Sequence, residues 1–428
     1  MNRNRKALFS NFTFENRKNL ILVALICFYF VYFAGAFVYD NFGEDYLAFW
    51  SVGKIADKKG YSEIYDLNAL KSVQTQERFV LGLVERIDDP SIPLFPVPYF
   101  SIFVVPFQLL SRVDLVDGYW IWTILNLIIL IGYLIFFLRK TNPGSGTTIS
   151  GLNLLILFLI SFPVLSNIIN GQVEVFLLVC AGEFIRYAIG KKPVLSGIWL
   201  GGLLLKPQLL ILIIPIFLIM RNWKVLMGFI VSSGIILMTS LLLSGFAGMN
   251  ALINLWTNFS VGMTSNFPEV MINWRMVGVN VSALMNTSLG WGITGLGMVL
   301  TILAVYFLVK QRPPFGSPQW VMAMLGVFSA TLAITWHSHY HMAMVLIPFL
   351  IYASLYKLLP EKIIFLWVIV TPIALFGMLI IDMLVLVLTK INTTNYNGMV
   401  IAFSGFILNL VIFISTIRFT NNRNLKQY

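Results

Sequence analysis

The sequence predicts an all-α protein that crosses a membrane many times, and its composition, hydropathy and apolar runs all support this fold class. Of the 428 residues, 58% are hydrophobic and 11% are charged, and the mean hydropathy is +0.84. Because soluble domains carry about 25% charged residues, these values exclude a soluble globular enzyme and a disordered chain. The apolar residues form runs of about twenty, the length of a helix that spans a bilayer.

The first apolar run covers residues 20–39 and follows a basic segment at residues 1–19. The run is longer than the core of a signal peptide, and it ends in aromatic residues and Asp40 instead of a small-residue cleavage site. We therefore expect a retained first helix whose N-terminus lies in the cytoplasm.

Further apolar runs follow along the whole chain, and short polar or basic segments separate most of them. Because lipid offers no hydrogen bonds to the backbone, a run at membrane depth has to be helical. We expect about twelve spans in a single integral membrane domain (1–428), with both termini cytoplasmic. The further runs cover residues 119–138, 150–169, 172–189, 194–220, 224–244, 290–309, 319–336, 340–357, 362–386 and 398–418.

Two long segments, 40–118 and 245–289, are expected to form outer loops, and two topologies are compatible with the runs. In the first, 91–118 enters the membrane and returns to the same side, and 194–220 is broken at Lys206-Pro207 into two short crossings. In the second, both segments are single spans. The positive-inside rule favours the first topology, because the second topology exports the basic clusters at 139–140 and 186–192.

Acidic residues concentrate in the first outer loop, where 12 of the 18 carboxylates lie between Asp40 and Asp117. We expect most of them to be solvated. Asp45 differs because it follows the first run directly and lies in an aromatic, amphipathic stretch that is typical of a helix in the membrane interface. At this depth a lower dielectric raises the pKa of a carboxyl group and makes it a stronger base.

Six motifs follow one another along residues 40–350: Asp45-Tyr46 through Lys54 to Ile64-Tyr65-Asp66, Phe95-Pro96-Val97-Pro98-Tyr99, Asn170-Gly171-Gln172, Gly197 through Gly201 to Lys206-Pro207, Asn280-Val281-Ser282 and Trp336-His337-Ser338-His339-Tyr340. In this order they resemble the motifs of glycosyltransferase family 87, whose members are polyprenol-phosphate-dependent membrane enzymes of the GT-C fold. Two positions depart from the family pattern, since Val97 splits a proline pair and Glu174 follows Gln172.

The resemblance implies a GT-C-like bundle of about twelve transmembrane helices, with interfacial helices in the first outer loop. It implies transfer of a hexose, often mannose, from a polyprenyl phosphate to a hydroxyl of a glycan or glycolipid acceptor, on the outer face of the cell membrane. The family's catalytic aspartate matches Asp45, and its tryptophan–histidine element matches His339. A lipid phosphate needs little protonation to leave, so one base suffices, and a single displacement inverts the anomeric centre.

Other polar residues of the motifs and outer loops are candidates for substrate binding. Lys206 is a candidate for the leaving phosphate, because a lysine inside a long apolar run is costly and often functional; a lysine that snorkels to the surface is the alternative. Arg275 is a second candidate cation, with lipid headgroups as the alternative partner. Glu174 is a candidate for sugar hydroxyls, and a carboxylate that stabilises a helix start is the alternative. Three further candidates are Tyr46, Gln172 and Asn280.

All three histidines lie between residues 337 and 341. If this segment is helical, His337 and His341 share a face and His339 points away from it. His339 is the candidate for orienting Asp45 or for binding the phosphate or the sugar, and a helix cap at the interface is the alternative. A divalent metal is not indicated, because no adjacent acid completes a motif such as HExxH, and we expect no cofactor.

A lipid flippase or secondary transporter is the alternative function, in which Lys206, Glu174 and Asp382 form a substrate or proton path. The hydropathy pattern shows no inverted repeat, and the charged residues cluster near one face, so we favour a transferase. The net charge of +11 fits basic cytoplasmic loops. It therefore predicts a lipid bilayer as partner and no nucleic acid.

Overall fold

The computed structural model describes residues 43–86, 92–141, 148–258, 267–389 and 397–421, together with Ile26. Every regular element in these ranges is a helix, which confirms the all-α class. The basic segment 1–19 and the expected first span 20–39 lie outside the described residues, apart from Ile26.

Sixteen α-helices occur in the described residues, and six short 3₁₀ segments connect several of them. In chain order the α-helices are α1 (Glu44–Lys59), α2 (Leu67–Val80), α3 (Val105–Leu110), α4 (Leu115–Thr141), α5 (Thr148–Leu159), α6 (Phe162–Asn170), α7 (Glu174–Ile189), α8 (Pro193–Gly201), α9 (Ile213–Ile219), α10 (Trp223–Asn258), α11 (Trp274–Leu284), α12 (Thr287–Val309), α13 (Pro318–Ile334), α14 (Ile347–Leu355), α15 (Glu361–Thr389) and α16 (Asn397–Asn421).

Five of these helices are long and apolar enough to cross a membrane, or six spans if α5 and α6, which meet at 46°, form one bent span. The described part of the chain is therefore that of a multi-pass membrane protein. By length and hydropathy it contains fewer spans than the twelve expected. The other apolar helices are 10 to 17 residues long. The five long spans are Leu115–Thr141, Trp223–Asn258, Thr287–Val309, Glu361–Ile381 and Gly398–Thr420.

The apolar run at 194–220 is broken at Lys206, as the Lys206-Pro207 pair predicts. Lys206 leaves the helical region (φ −131°, ψ 82°), and a 3₁₀ segment lies on each side of it. Pro207 has no N–H to continue a helix. The break divides the run into α8 and α9, so a single span over 194–220 is wrong.

Both ends of this broken segment lie at the start of α10. A Cβ at Gly197 would lie 2.0 Å from the carbonyl oxygen of Val225, and a Cβ at Gly228 would lie 2.0 Å from that of Val194. The two helices can approach this closely because both positions lack a side chain. Since α9 ends only four residues before α10 begins, the segment enters the bundle and returns to the same end, with Lys206 at its tip.

The basic loops gather at this same end of the bundle. Lys191 Nζ donates a hydrogen bond to the carbonyl of Phe315, and Tyr356 Oη donates one to the carbonyl of Thr141 at 3.3 Å. An aromatic cluster of Phe184, Phe217 and Trp320 joins the ends of α7 and α9 to the start of α13. The end of α4 and the loops that follow α7, α9, α12 and α14 are therefore neighbours.

Four basic residues in these loops adopt left-handed backbone conformations. Each lies in the bend that follows a helix, where glycine is the residue that fits with least strain. Among the described residues with side chains, these are the positions with positive φ: Lys191 (57°), Arg221 (58°), Arg312 (48°) and Lys357 (53°).

Protein covers the apolar face of α1. Tyr46, Leu47 and Trp50 are buried, and the ring of Phe49 stacks on that of Phe107 in α3 at 4.8 Å. A Cβ at Gly53 would lie 2.2 Å from the carbonyl oxygen of Phe107, so α1 and α3 touch through their backbones. The face of α1 that was expected to lie against lipid therefore packs against the protein instead.

The segment 91–118 is not a single helix. Its described part runs extended from Ile92 to Phe100, a 3₁₀ segment and α3 follow with ten helical residues together, and α4 begins separately at Leu115. Gln74 exchanges two hydrogen bonds with the backbone of Phe95, and Trp256 Nε1 donates to the carbonyl of Pro98 at 2.8 Å. These bonds fix the extended stretch across the end of α10.

Candidate functional site

A cavity of about 610 Å³ lies at the end of the bundle opposite the basic loops. Its walls come from parts of the chain that are far apart in sequence: the start of α1, the stretch 95–99, the α6–α7 turn, the break at Lys206, the end of α10 and the segment 335–341. The predicted site residues that line it are Asp45, Gln172, Lys206 and His339.

Asp45 lies in the first turn of α1, which begins directly against the end of α6. A Cβ at residue 43 would lie 2.2 Å from the backbone of Asn170. The start of α1 can approach the end of α6 this closely because Gly43 has no side chain. Gly171 ends α6 with a left-handed bend (φ 65°, ψ 36°), which turns Gln172 towards α1. Gln172 Nε2 then donates a hydrogen bond of 2.5 Å to Asp45 Oδ2.

The environment of Asp45 makes its carboxylate a stronger base. Its surface is partly covered by protein and partly open to the cavity. Desolvation raises its pKa above the ordinary value, while the hydrogen bond from Gln172 and the charge of Lys206 lower it and the charge of Glu44 raises it. Desolvation prevails.

Lys206 is buried, with 4% of its side chain exposed, and does not snorkel to the surface. Its Nζ forms an ion pair with Oε1 of Glu174, which is fully buried, and donates to Gln172 Oε1 at 3.1 Å. An ammonium only donates and a carboxylate only accepts, so one orientation of the Gln172 amide serves both Asp45 and Lys206. A continuous hydrogen-bonded chain therefore joins Asp45 to Lys206.

The histidines do not lie on one α-helix, so the helical arrangement of the three rings is wrong: the backbone bends at residues 335–337, and His341 lies in a 3₁₀ segment. α13 ends at Ile334, Thr335 adopts ψ 140°, and His339 (φ −89°, ψ 166°) precedes a 3₁₀ segment. All three histidines line the cavity; the rings of His337 and His339 lie 4.6 Å apart, and those of His339 and His341 lie 5.7 Å apart.

The histidines outside the apolar helices are neutral at physiological pH. Desolvation, reinforced by the charge of Lys206, lowers the pKa of His339 to about 4. Desolvation also lowers the pKa of His337 well below its ordinary value, with smaller effects of His339, Lys206 and Arg275. In this state each ring offers one N–H donor and one acceptor nitrogen.

Four predicted site residues lie behind the walls of the cavity. Tyr46 packs edge-on against Phe107 and Tyr119, and Glu174 lies behind Lys206 and His341. Arg275 Cζ lies 4.3 Å from the ring centroid of Trp336, which itself lines the cavity.

Asn280 is the fourth of these residues. It donates hydrogen bonds to the carbonyls of Glu269 and Met276, at 3.1 and 3.0 Å. It therefore binds the backbone of the second outer loop and does not face the cavity.

Two aromatic residues of the cavity were not selected from the sequence. Tyr99 stacks on Phe49 at 5.7 Å and interacts with Lys206; its place in the proline–aromatic motif was the available signal. Trp256 follows the kink of α10 at Gly245, and no motif marks it.

Within the described ranges, no group of three or more His, Cys, Asp or Glu residues is placed to hold a metal ion.

Comparison with known proteins identifies the family. The model of glycosyltransferase family 87 matches residues 97–335, more than half of the chain. The matched range contains Gln172, Glu174 and Lys206, begins after Asp45 and ends before the histidines. Comparisons with curated proteins and with solved structures found no match. This match favours an enzyme over a flippase or transporter. The chain belongs to glycosyltransferase family 87.

Proposed function

We propose that the protein transfers a hexose, such as mannose, from a polyprenyl phosphate to an acceptor hydroxyl of a glycan or glycolipid, with inversion at the anomeric carbon. The observation that supports this most directly is the hydrogen-bonded chain of Asp45, Gln172 and Lys206 along one wall of a cavity that His339 also lines. A displacement with an anionic leaving group requires a base and a cation beside the same space, and this arrangement supports Asp45 and Lys206 in those roles.

Asp45 acts as the general base. It accepts the proton of the acceptor hydroxyl as the oxygen attacks the anomeric carbon, while the bond from that carbon to the phosphate oxygen breaks. The raised pKa of Asp45 brings its basicity closer to that needed near neutral pH. The leaving phosphate departs as an anion, so no second carboxylic acid is needed to protonate it.

Lys206 and His339 serve the leaving phosphate. Lys206 supplies positive potential at the cavity wall, and His339, neutral at physiological pH, supplies a hydrogen-bond donor. Glu174 holds Lys206 in place, and Gln172 orients Asp45. Arg275 influences the cavity through its contact with the indole of Trp336. Tyr46 and Asn280 stabilise the protein that forms the cavity walls.

We infer that the enzyme lies in the cell membrane with about twelve crossings and both termini cytoplasmic. This proposal counts the shorter apolar helices and the expected span at 20–39 as crossings in addition to the five or six described spans. The basic loops then face the cytoplasm and the cavity lies at the outer face, between the outer loops 40–118 and 245–289. A lipid-borne donor reaches such a site from within the bilayer.

The direct test is turnover of purified enzyme with a polyprenyl-phosphate sugar and an acceptor. The expected products are a new glycosidic bond and free polyprenyl phosphate. Asp45→Asn should reduce this turnover by at least about 10²-fold, the lower range of general base contributions, without changing thermal unfolding.

The neighbouring Glu44→Gln is the matched control, since Glu44 also lines the cavity but is exposed and has no bond to Gln172. Loss of turnover in Glu44→Gln, with turnover retained in Asp45→Asn, would move the base to Glu44. Movement of intact donor across a bilayer without a new glycoside would contradict the proposed reaction.

The role of His339 is tested by His339→Ala beside His337→Ala. We expect a strong loss of turnover in His339→Ala and a smaller one in His337→Ala. The reverse order would show that the histidine of the family motif is assigned to the wrong position.

A further inference from the structure

The protons of Lys206 are all used within the protein. An ammonium has three N–H donors and no acceptor. In the described residues its Nζ contacts Oε1 of Glu174, Oε1 of Gln172 and, at 3.4 Å, Nε2 of His341. Tyr99 also interacts with it. Lys206 therefore contributes charge to the cavity, but it has no hydrogen left to donate to a substrate.

The contact with Lys206 fixes the tautomer of His341. Because the ammonium can only donate, a distance of 3.4 Å is favourable only if Nε2 carries a lone pair. A proton on Nε2 would point towards the ammonium, and Oε1 of Glu174, at 3.6 Å, is too far to hold it instead. The contact therefore favours a neutral ring with its proton on Nδ1.

Nδ1 of His341 has no hydrogen-bond partner among the described residues, although the side chain is buried and lines the cavity. A buried N–H without a partner is costly. A proton on Nδ1 would lie at a wall of the cavity, polarised by the Lys206 charge at the other nitrogen of the ring, and a group that packs against this wall would supply the missing partner.

The charges of the cavity indicate which group this donor serves. The charged residues that line its described walls are Glu44, Asp45 and Lys206, and Lys206 has no free proton. An anion in this cavity must therefore be bound mainly by neutral donors. A polarised imidazole N–H is suited to a phosphate oxygen, because hydrogen bonds to charged acceptors are the stronger ones.

We propose that His341 is a substrate-binding residue whose Nδ1–H donates to a phosphate oxygen of the polyprenyl phosphate, and that Lys206 acts on this phosphate through the imidazole ring. This inference rests on the proposed donor class and assigns the contact to His341, which the sequence motif does not mark. Glu174 and Gln172 then position the lysine that sets the tautomer.

The tautomer is tested first, without any substrate. The chain has three histidines, so ¹⁵N-histidine labelling gives few NMR signals, and each is assigned from His337→Gln, His339→Gln and His341→Gln. We expect His341 to carry its proton on Nδ1 in the full-length protein and to lose this preference in Lys206→Met. A proton on Nε2 of His341 with Lys206 intact would overturn the proposal.

Binding of polyprenyl monophosphate is tested second, with the matching polyprenol as the ligand that lacks phosphate. His341→Phe keeps the size of the ring but has no donor, and His341→Asn keeps an N–H close to the position of Nδ1. We expect about tenfold or greater weakening for the phosphate in His341→Phe, the effect of one charge-assisted hydrogen bond. The affinity for polyprenol should not change, and His341→Asn should recover part of the loss.

The other outcomes separate this inference from the proposed reaction. Equal weakening for polyprenol in His341→Phe would indicate a damaged cavity and contradict a phosphate contact. Displacement of the lipid by inorganic phosphate at similar concentration would assign the donor to a free anion and not to a lipid. If no glycoside forms but the phosphate-specific effect of His341→Phe is observed, the proposed reaction fails and the assignment of His341 stands.

Discussion

Lys206 and Glu174 form an ion pair that is buried on both sides, with 4% and 0% of their side chains exposed. The pair joins the tip of the broken 193–219 segment to the first turn of α7. A buried pair contributes little net stability, but loss of either partner leaves a charge without compensation. The pair therefore makes the position of the tip depend on the position of α7.

Removal of one partner of this pair should destabilise the protein strongly. We expect Lys206→Met and Glu174→Gln each to cost about 3–5 kcal/mol, and the double variant to cost clearly less than their sum. The measurement is unfolding in detergent by heat or denaturant. The exposed pair of Arg112 and Asp57 is the control, where Arg112→Met should cost less than about 1 kcal/mol. Simple additivity in the double variant would contradict the coupling.

The pH dependence of turnover should report the carboxyl group of Asp45. A base acts only when deprotonated, so kcat/KM should rise with pH and level off above the raised pKa of Asp45. Gln172→Leu removes the hydrogen bond that lowers this pKa, and the acidic limb should move to higher pH. His339, with its pKa lowered to about 4, should add no limb between about pH 5 and 8.

The matched control is Gln208→Leu, because Gln208 also lines the cavity but has no bond to Asp45. This change should leave the acidic limb in place. A shift of the limb to lower pH in Gln172→Leu would show that Gln172 does not act on the base as described.

The close approach of α8 and α10 should depend on Gly228. A Cβ there meets the carbonyl oxygen of Val194, whereas a Cβ at Gly234 in the same helix meets nothing within 4 Å. Gly228→Ala should destabilise the protein by about 1–3 kcal/mol through overpacking. Gly234→Ala should be neutral or stabilising by up to about 1 kcal/mol, because alanine favours the helix. Thermal unfolding of both variants, side by side, decides whether this packing is as close as described.

The orientation in the membrane is tested by cysteine labelling. In a background without Cys27 and Cys180, Lys140→Cys and Lys191→Cys should react only with reagents that reach the cytoplasm. Lys71→Cys, in α2 of the first outer loop, should react from outside. Labelling of positions 140 and 191 from outside would reject the proposed orientation.

The helical fold could be predicted from the sequence because its causes are local. Composition and apolar runs require helices, and Pro207 requires a break beside Lys206. The packing of α3 over the apolar face of α1 could not be predicted in this way. It depends on the contact between Gly53 and the backbone of Phe107, 54 residues away in the chain. Amphipathicity alone does not distinguish a helix that lies on lipid from one that packs against another part of the protein.

The site was predicted in part, and the differences have physical causes. Asp45, Gln172, Lys206 and His339 come from separate motifs and meet in one cavity. The helical placement of the histidines failed because the chain is extended around Thr335, a conformation that the residue pattern does not require. The burial of Lys206 depends on Glu174, a partner 32 residues distant in sequence.

Asn280 lies behind the cavity because of how α11 packs. Gly278 in this helix lets it approach α12 so closely that an added Cβ would lie 1.8 Å from Oγ1 of Thr294. A motif match shows that a residue is part of the family pattern, but it does not show which way the helix presents it.

At the four basic residues with left-handed backbones, the residue that is best for folding stability differs from the residue that is best for membrane orientation. Glycine at these bends would relieve strain and raise folding stability, yet in the proposed orientation each exchange would delete one of the cytoplasmic charges that direct insertion. Stabilising the enzyme by replacing them with consensus turn residues would therefore increase the share of molecules inserted upside down. A gain measured in detergent at these positions would reappear in cells as a loss of correctly oriented enzyme.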